Sequence, residues 1–185
     1  MNGIKAPGKR IMKKSGLLIL NTGNGKGKTT AALGQAMRAV GHGFKVCIIQ
    51  FIKSNTRTGE ANALALLGNN VELHVKGSGF TWEEKDKEKL KKTSLAAWEF
   101  AREKITGGGY DMIILDELTY LLSSGLVDSA EVLATLRNRP ENLHIVVTGR
   151  DAPRELIDAA DLVTRMEEVK HPYKAGIKAR KGIEF

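Results

Sequence analysis

Gly27, Lys28 and Thr29 carry the first chemical signal, near the middle of the glycine-rich stretch TGNGKGKTTAALG (22–34). Glycines that open a helix accept positive φ and let backbone N–H groups approach phosphate oxygens closely. The helix N-terminus adds partial positive charge. Lys28 would neutralise phosphate charge, and the Thr29 hydroxyl would join a Mg²⁺ shell. The strict phosphate-loop spacing is G-x-x-x-x-G-K-[ST], and here Thr22 stands at the first glycine position. Gly23 and Gly25 keep the loop flexible, and a strand-like run precedes it, as the motif requires.

A second signal is YDMIILDEL (110–118), an apolar run that ends in Asp116 and Glu117. At the carboxyl end of a parallel strand, such carboxylates hold Mg²⁺ directly or through water. The alternative for Asp116 is capping of a short helix. With the phosphate loop, the pair points to ATP or a similar triphosphate with Mg²⁺ or Mn²⁺. Arg57, Arg150 and Arg154 are the candidate arginine fingers, none of them unambiguous. The loop alone therefore leaves the reaction open.

The elements around these residues alternate. Apolar strand-like runs lie at 17–21, 44–51, 70–75, 110–116 and 143–149, with a weaker one at 162–166. Their continuous character predicts a parallel sheet covered on both faces. Helical patterns fill 28–41, 59–67, 84–106, 128–138 and 153–160. In the longest, Leu90, Ala97, Ala101 and Ile105 share a stripe, and Gly107-Gly108-Gly109 stops it. The expected fold is a doubly wound α/β domain over 16–185, with ligands at the carboxyl ends of its strands.

Composition narrows the class. At 185 residues the chain is most simply one domain. No run approaches the roughly 18 apolar residues of a membrane helix, and the N-terminus lacks the apolar region of a secretory signal. The only cysteine, Cys47, sits in the apolar run VCII and reads as a buried hydrophobe in a reducing, cytoplasmic setting. Of the net charge of +8, Lys5, Lys9, Arg10, Lys13 and Lys14 supply five charges, and a second basic cluster lies in the tail. With few aromatics and no basic–aromatic interleaving, solvated ends or a polyanionic small molecule fit better than nucleic acid. His42, His74, His144 and His171 lack metal-site spacing and read as structural or surface residues.

One stretch resists a structural account. In GSGFTWEEKD (77–86), Thr81 and Glu84 form a capping box for the following helix. Phe80 would then need an apolar partner at position 85, which is lysine. Trp82 also has no local apolar contact. Distant core packing is one reading of these aromatics, and contact with a substrate is the other.

The stretches GNGKGKTTAALG (23–34), RAVGHG (38–43), VCIIQFIK (46–53), GFTWE (79–83), LDELTY (115–120), VVTGR (146–150) and VKHPYKAGIKARKGIEF (169–185) occur in this order. Together they resemble ATP:corrinoid adenosyltransferases of the CobA/BtuR/CobO type, over about residues 15–185. Thr22 at the first loop position also belongs to that family's pattern. The resemblance implies a P-loop, RecA-like three-layer sandwich with a mostly parallel central sheet. It implies transfer of the 5′-deoxyadenosyl group of ATP to the Co(I) of a corrinoid, with release of triphosphate. ATP would lie reversed relative to ordinary P-loop hydrolases, so that C5′ rather than the γ-phosphate is presented.

Carried over by position, Gly23, Asn24, Gly25, Lys26, Gly27, Lys28, Thr29 and Thr30 bind the nucleotide. Thr29 and Glu117 bind Mg²⁺ with Asp116 in support, and Arg38 reaches the nucleoside. Phe80 and Trp82 close the lower face of the corrinoid. Excluding a lower axial donor there makes Co(II) easier to reduce. The resemblance further implies a homodimer, an electron-donating flavoprotein, and residues 1–15 as an active-site cap, a disordered tail being the alternative. Two other functions compete: a conventional P-loop ATPase or nucleotide kinase, with or without a nucleic-acid partner, and a nucleotide-binding regulatory module.

Overall fold

The computed structural model describes residues 16–55, 58–79 and 86–183. The chain runs β1 (Leu18–Thr22), α1 (Lys28–Gly41), β2 (Val46–Gln50), α2 (Gly59–Ala65), β3 (Val71–Val75), α3 (Lys87–Gly107), β4 (Met112–Asp116), α4 (Leu118–Ser123), α5 (Ser129–Arg137), β5 (His144–Thr148), α6 (Arg154–Ala159) and β6 (Leu162–Arg165). The six strands form one sheet in the order β3-β2-β4-β5-β1-β6, and every pairing is parallel. The expectation of a mostly parallel sheet is thus met in full. All carboxyl ends, and hence the loops after them, share one edge.

Every residue of β1, β2 and β4 is buried, which is why those strands read as unbroken apolar runs. On one face, Ala32 and Ala36 of α1 pack against Ile19, Ile48, Ile114 and Val146. These alanines let the helix lie close to the sheet and bring its first turn near the strand ends. On the other face, Trp98, Ala101 and Ile105 of α3 and Leu118 and Leu121 of α4 cover Leu18, Cys47, Ile49 and Leu115. The result is three layers: helix, sheet, helix.

Edge strand β6 differs. All four of its residues are exposed, so the apolar signal at 162–166 is weak. Backbone pairing holds it to β1, from Ile19 opposite Leu162 to Thr22 opposite Arg165. Among the described residues, no helix is long and apolar enough to cross a membrane.

Two boundaries depart from the sequence expectation. α3 starts at Lys87, not 84, and its N-cap is Asp86, whose carboxylate accepts from Glu88 N (3.1 Å) and Lys89 N (3.0 Å). The capping box therefore does not open this helix, and Thr81 and Glu84 lie outside the described residues. A carboxylate that takes two amide donors competes well with a threonine hydroxyl that takes one. The short helix after Asp116 exists as α4, but Asp116 does not cap it. Its N-cap is Glu117, at φ 67°, with no side-chain cap bond.

The expected stripe of α3 is buried, and Trp98 completes it at 1% exposure. Its indole N–H donates to Glu131 Oε1 of α5 at 3.2 Å, tying the two helices together. Trp98→Ala should lower unfolding stability by about 3–5 kcal/mol, and Trp98→Phe by much less. Urea unfolding checks this; a loss below about 1 kcal/mol for the alanine variant would show that the outer layer repacks without the indole.

Candidate nucleotide and metal site

The phosphate loop is shaped from both ends. Gly27 at φ 108° is the N-cap of α1, with no side-chain cap and no acidic residue in the first turn. α3 and α5, by contrast, are capped by Asp86 and Asp128. The first amides of α1 are therefore available to an anion. Upstream, the loop lies against the end of β6. Gly25 N donates to Met166 O at 2.7 Å. A Cβ on Gly23 would stand 2.4 Å from Met166 O, and one on Gly25 2.6 Å from Glu167 O. These glycines are thus required by the neighbouring chain as well as by any ligand.

Lys28 lies over its own loop. Its Nζ donates to Gly23 O (2.8 Å) and Gly25 O (2.7 Å). Burial, followed by the nearby Arg150 charge, moves its pKa below the ordinary lysine value. A bound polyanion would oppose both effects by favouring the charged ammonium.

The two carboxylates divide the work. Asp116 is 1% exposed. Its Oδ1 accepts from the hydroxyls of Thr29 and Thr148, both at 2.7 Å, and its Oδ2 accepts from Gln50 Nε2 at 3.0 Å. Asp116 thus holds Thr29 in place. Glu117 is held at positive φ while its N–H donates to Thr148 Oγ1 at 2.9 Å. Burial, then the neighbouring Asp116 charge, pushes its carboxyl up to about 7. A carboxylate in such a place is stabilised by a cation.

The donor set fits Mg²⁺ or Mn²⁺: hard oxygens from Thr29 and Glu117, with Asp116 behind them. Gln50 Oε1 adds to this, being buried with no hydrogen-bond partner beside Asp116. It is an acceptor suited to a metal-bound water.

A cleft of about 660 Å³ opens at this edge. The phosphate loop lines it with Gly25, Lys26, Gly27, Lys28, Thr29 and Thr30, and α1 adds Leu33. Ile52 and Lys53 after β2, Gly59 and Glu60 of α2, and Glu117, Tyr120, Arg150, Gly182 and Ile183 complete it. Gly23 and Asn24 line a second, polar cleft of about 670 Å³, which shares Arg150. Arg38 is exposed in the last turn of α1. That is ten residues, or roughly 15 Å of helix, from Lys28, so the structure does not bring it to the cleft. Phe80 and Trp82 lie outside the described residues. A Cβ on Gly77 would lie 2.3 Å from Ile52 O, and Gly79 N donates to that same oxygen at 3.0 Å. The GSG stretch is therefore laid on the residue before Lys53.

Of the three candidate arginines, Arg150 lines the cleft, and its carbonyl accepts from the Thr119 hydroxyl. Arg154 is exposed and pairs with Asp158, and Arg57 lies outside the described residues. Sequence reasoning gave no role to Lys53, Glu60 or Tyr120. The available signal was position: Lys53 and Arg150 each follow a continuous apolar strand within a few residues. Elsewhere, Cys47, Glu72 and His74 bring ligating atoms within 4.8 Å of one another. Glu72 Oε2 there already meets Tyr110 OH (2.8 Å), His74 Nε2 (3.0 Å) and Lys104 Nζ (3.2 Å). The Lys104 ammonium, its pKa raised to about 12 by the Tyr110 hydrogen bond, already supplies the positive charge. Cys47 is fully buried as expected, and burial pushes its thiol up to about 12.

Residues 14–185 match the family described as ATP:corrinoid adenosyltransferase BtuR/CobO/CobP. The chain is 45% identical to a corrinoid adenosyltransferase of Pseudomonas aeruginosa over 170 residues, covering 92% of this chain and 84% of that one. It is 42% identical to the corrinoid adenosyltransferase CobA of Salmonella typhimurium over 176 residues, covering 95% and 89%. In fold alone it is similar to the flagellar accessory protein FlaH of Methanocaldococcus jannaschii, with a TM-score of 0.51 and 17% identity, over 82% of this chain and 71% of that one. That likeness agrees with the P-loop, RecA-like layering of the sheet and helices.

Glu117 generates a pH-dependent prediction. Its carboxyl titrates near 7 in the folded chain, against an ordinary value of 4.5. Between those values the folded state holds the extra proton, so stability falls as pH rises through the window and stays low above it. Without divalent metal, Glu117→Gln should therefore match the parent near pH 4.5 and exceed it above pH 7, by on the order of 3 kcal/mol. Denaturant unfolding in chelator at both pH values checks this. Equal stability at pH 8 would mean that the Glu117 charge is already compensated by the protein.

Proposed function

The chain belongs to the ATP:corrinoid adenosyltransferase family and adenosylates a corrinoid using ATP, and from that premise we propose how its residues divide the reaction. The match to corrinoid adenosyltransferases over nearly the whole chain supports the alkyl-transfer reading above the others. In that reading the nucleophile belongs to the substrate, as Co(I) of the corrinoid.

The triphosphate lies across Gly23 to Thr30, on the open amides of α1. Lys28 exchanges the carbonyls of Gly23 and Gly25 for phosphate oxygens. Thr29 and Glu117 would hold Mg²⁺, which when bound would supply charge neutralisation to the polyphosphate. Asp116 fixes Thr29, and the buried Gln50 Oε1 offers a further acceptor beside it. Co(I) attacks C5′, the C5′–O bond breaks, and the electron pair leaves with the triphosphate. Lys28 and Arg150 offset that developing charge. The remaining work is alignment of cobalt, C5′ and the leaving oxygen.

Phe80 and Trp82 form the corrinoid-facing surface in this reading, displacing the lower axial donor. The fit of Gly77 and Gly79 against Ile52 supports this, since it starts the aromatic stretch beside the cleft wall. Arg38 has no part in the cleft described here. Residues 1–15 act as a cap over the catalytic domain 16–185. The working enzyme is a cytoplasmic homodimer, and a flavoprotein delivers the electron that makes Co(I).

The test supplies ATP, Mg²⁺ and chemically reduced corrinoid. The expected products are a light-sensitive cobalt–carbon species and inorganic triphosphate. ADP and phosphate, stimulated by DNA or RNA, would identify a conventional ATPase instead. A variant carrying both Phe80→Ala and Trp82→Ala should bind ATP normally but fail to adenosylate Co(II) corrinoid supplied with a reductase. Full turnover by that variant would remove the aromatics from the corrinoid site.

A further inference from the structure

Lys53 and Glu60 meet inside the cleft. Lys53 follows β2, Glu60 stands in the first turn of α2, and a hydrogen-bonded ion pair joins Lys53 Nζ to Glu60 Oε1. Their side chains are 34% and 17% exposed, and both line the same cavity as Lys28, Thr29, Glu117 and Arg150. Burial raises the Glu60 pKa, but the Lys53 hydrogen bond and charge, together with hydrogen bonds from the Glu60 backbone and the Thr58 side chain, more than offset that, so the carboxyl sits below its ordinary value. Lys53 also acts on Glu117, where its charge favours the ionised form.

The fold has other means of holding both segments. Ile52 is anchored through its carbonyl by Gly79 N. α2 is capped by the Thr58 hydroxyl, which accepts from Ala61 N, and is seated by buried Leu64. The pair is thus an ion pair at the site rather than a structural clasp. A partly exposed pair of this kind contributes little, whereas a polyphosphate offers several negative charges to the same ammonium.

We infer that Lys53 is a further cation of the polyphosphate site, parked on Glu60 until a triphosphate enters, and that Glu60 thereby sets the affinity for the leaving group. This rests on the reading that triphosphate occupies the cleft. On binding, the Lys53 ammonium exchanges the Glu60 carboxylate for phosphate oxygens, while Glu60 turns to solvent. Lys53 then joins Lys28 and Arg150 in offsetting charge on the departing triphosphate. Glu60 favours product release by competing for the same ammonium.

The test is a double-mutant cycle read by calorimetric binding of inorganic triphosphate to the full chain, at low salt, with and without Mg²⁺. Lys53→Met keeps the aliphatic stem and should weaken binding on the order of 10- to 100-fold. Lys53→Arg should recover part of that loss. Glu60→Gln releases the ammonium and should tighten binding by about 2- to 5-fold. With Met at position 53, Glu60→Gln should change nothing measurable. Equal tightening in both backgrounds would show that only a negative charge had been removed, and would overturn the inference. So would weaker binding by Glu60→Gln, or unchanged binding by Lys53→Met at an unchanged thermal midpoint. The functional reading fails separately: a parent chain that binds triphosphate but forms no cobalt–carbon bond sinks that reading and leaves the cycle intact.

Discussion

The Asp116 carboxylate is the knot on which the site depends. It is a charge buried at 1% exposure, and such a charge is tolerable only when its oxygens are fully hydrogen-bonded. Its three donors come from three segments: Thr29 at the start of α1, Gln50 at the end of β2, and Thr148 at the end of β5. Thr148 is used twice, because its hydroxyl also accepts the Glu117 amide. One side chain thus ties the strand ends together and fixes the Thr29 hydroxyl. It also helps hold Glu117 in a backbone conformation that a glutamate seldom adopts. Loss of Asp116 would loosen all three segments together, so its effect on activity would not isolate metal binding.

Around this knot the charges are arranged without full internal neutrality. Glu117 is pushed up by burial and by Asp116, and Lys28 is pushed down by burial and by Arg150. Each displaced pKa records a charge awaiting a partner of opposite sign. A metal bound to a polyphosphate brings both partners at once: the cation to Glu117 and the anion to Lys28, Arg150 and the open amides of α1. The Cys47–Glu72–His74 group illustrates the opposite case. There Lys104 and Tyr110 already serve Glu72, which the His74 and Tyr110 hydrogen bonds hold down to about 2, and little charge is left to recruit a ligand.

Much of this was legible in the sequence, for physical reasons. Strands buried on both faces must be continuously apolar, so β1, β2, β4 and β5 announced themselves. β6 did so faintly, because backbone pairing rather than side-chain burial holds it. The phosphate loop was legible because Gly23 and Gly25 have no tolerated substitute beside Met166 and Glu167. The start of α3 was misread because Thr81 and Asp86 both qualify as caps, and local spacing does not reveal which side chain reaches the amides. Arg38, carried over as a nucleoside contact, stands in the last turn of α1 and does not line the cleft beside the phosphate loop. Lys53 and Glu60 were missed because each is an ordinary charged residue until the sheet places the end of β2 beside the start of α2.

The chemistry proposed for this site departs from that of an ordinary phosphate-loop enzyme. A hydrolase must place a water or hydroxyl in line with the γ-phosphate. Here the cleft wall beyond the phosphate loop includes Ile52, Lys53 and Glu60. Directly behind that wall, Gly77 packs so closely on Ile52 that no side chain would fit. In the proposed reading, the corrinoid would meet the nucleotide at its nucleoside end, with the phosphates held away in the loop. Phosphate-loop geometry then becomes compatible with attack at carbon rather than phosphorus, and the loop's ordinary function, gripping a polyanion, becomes the grip on a leaving group.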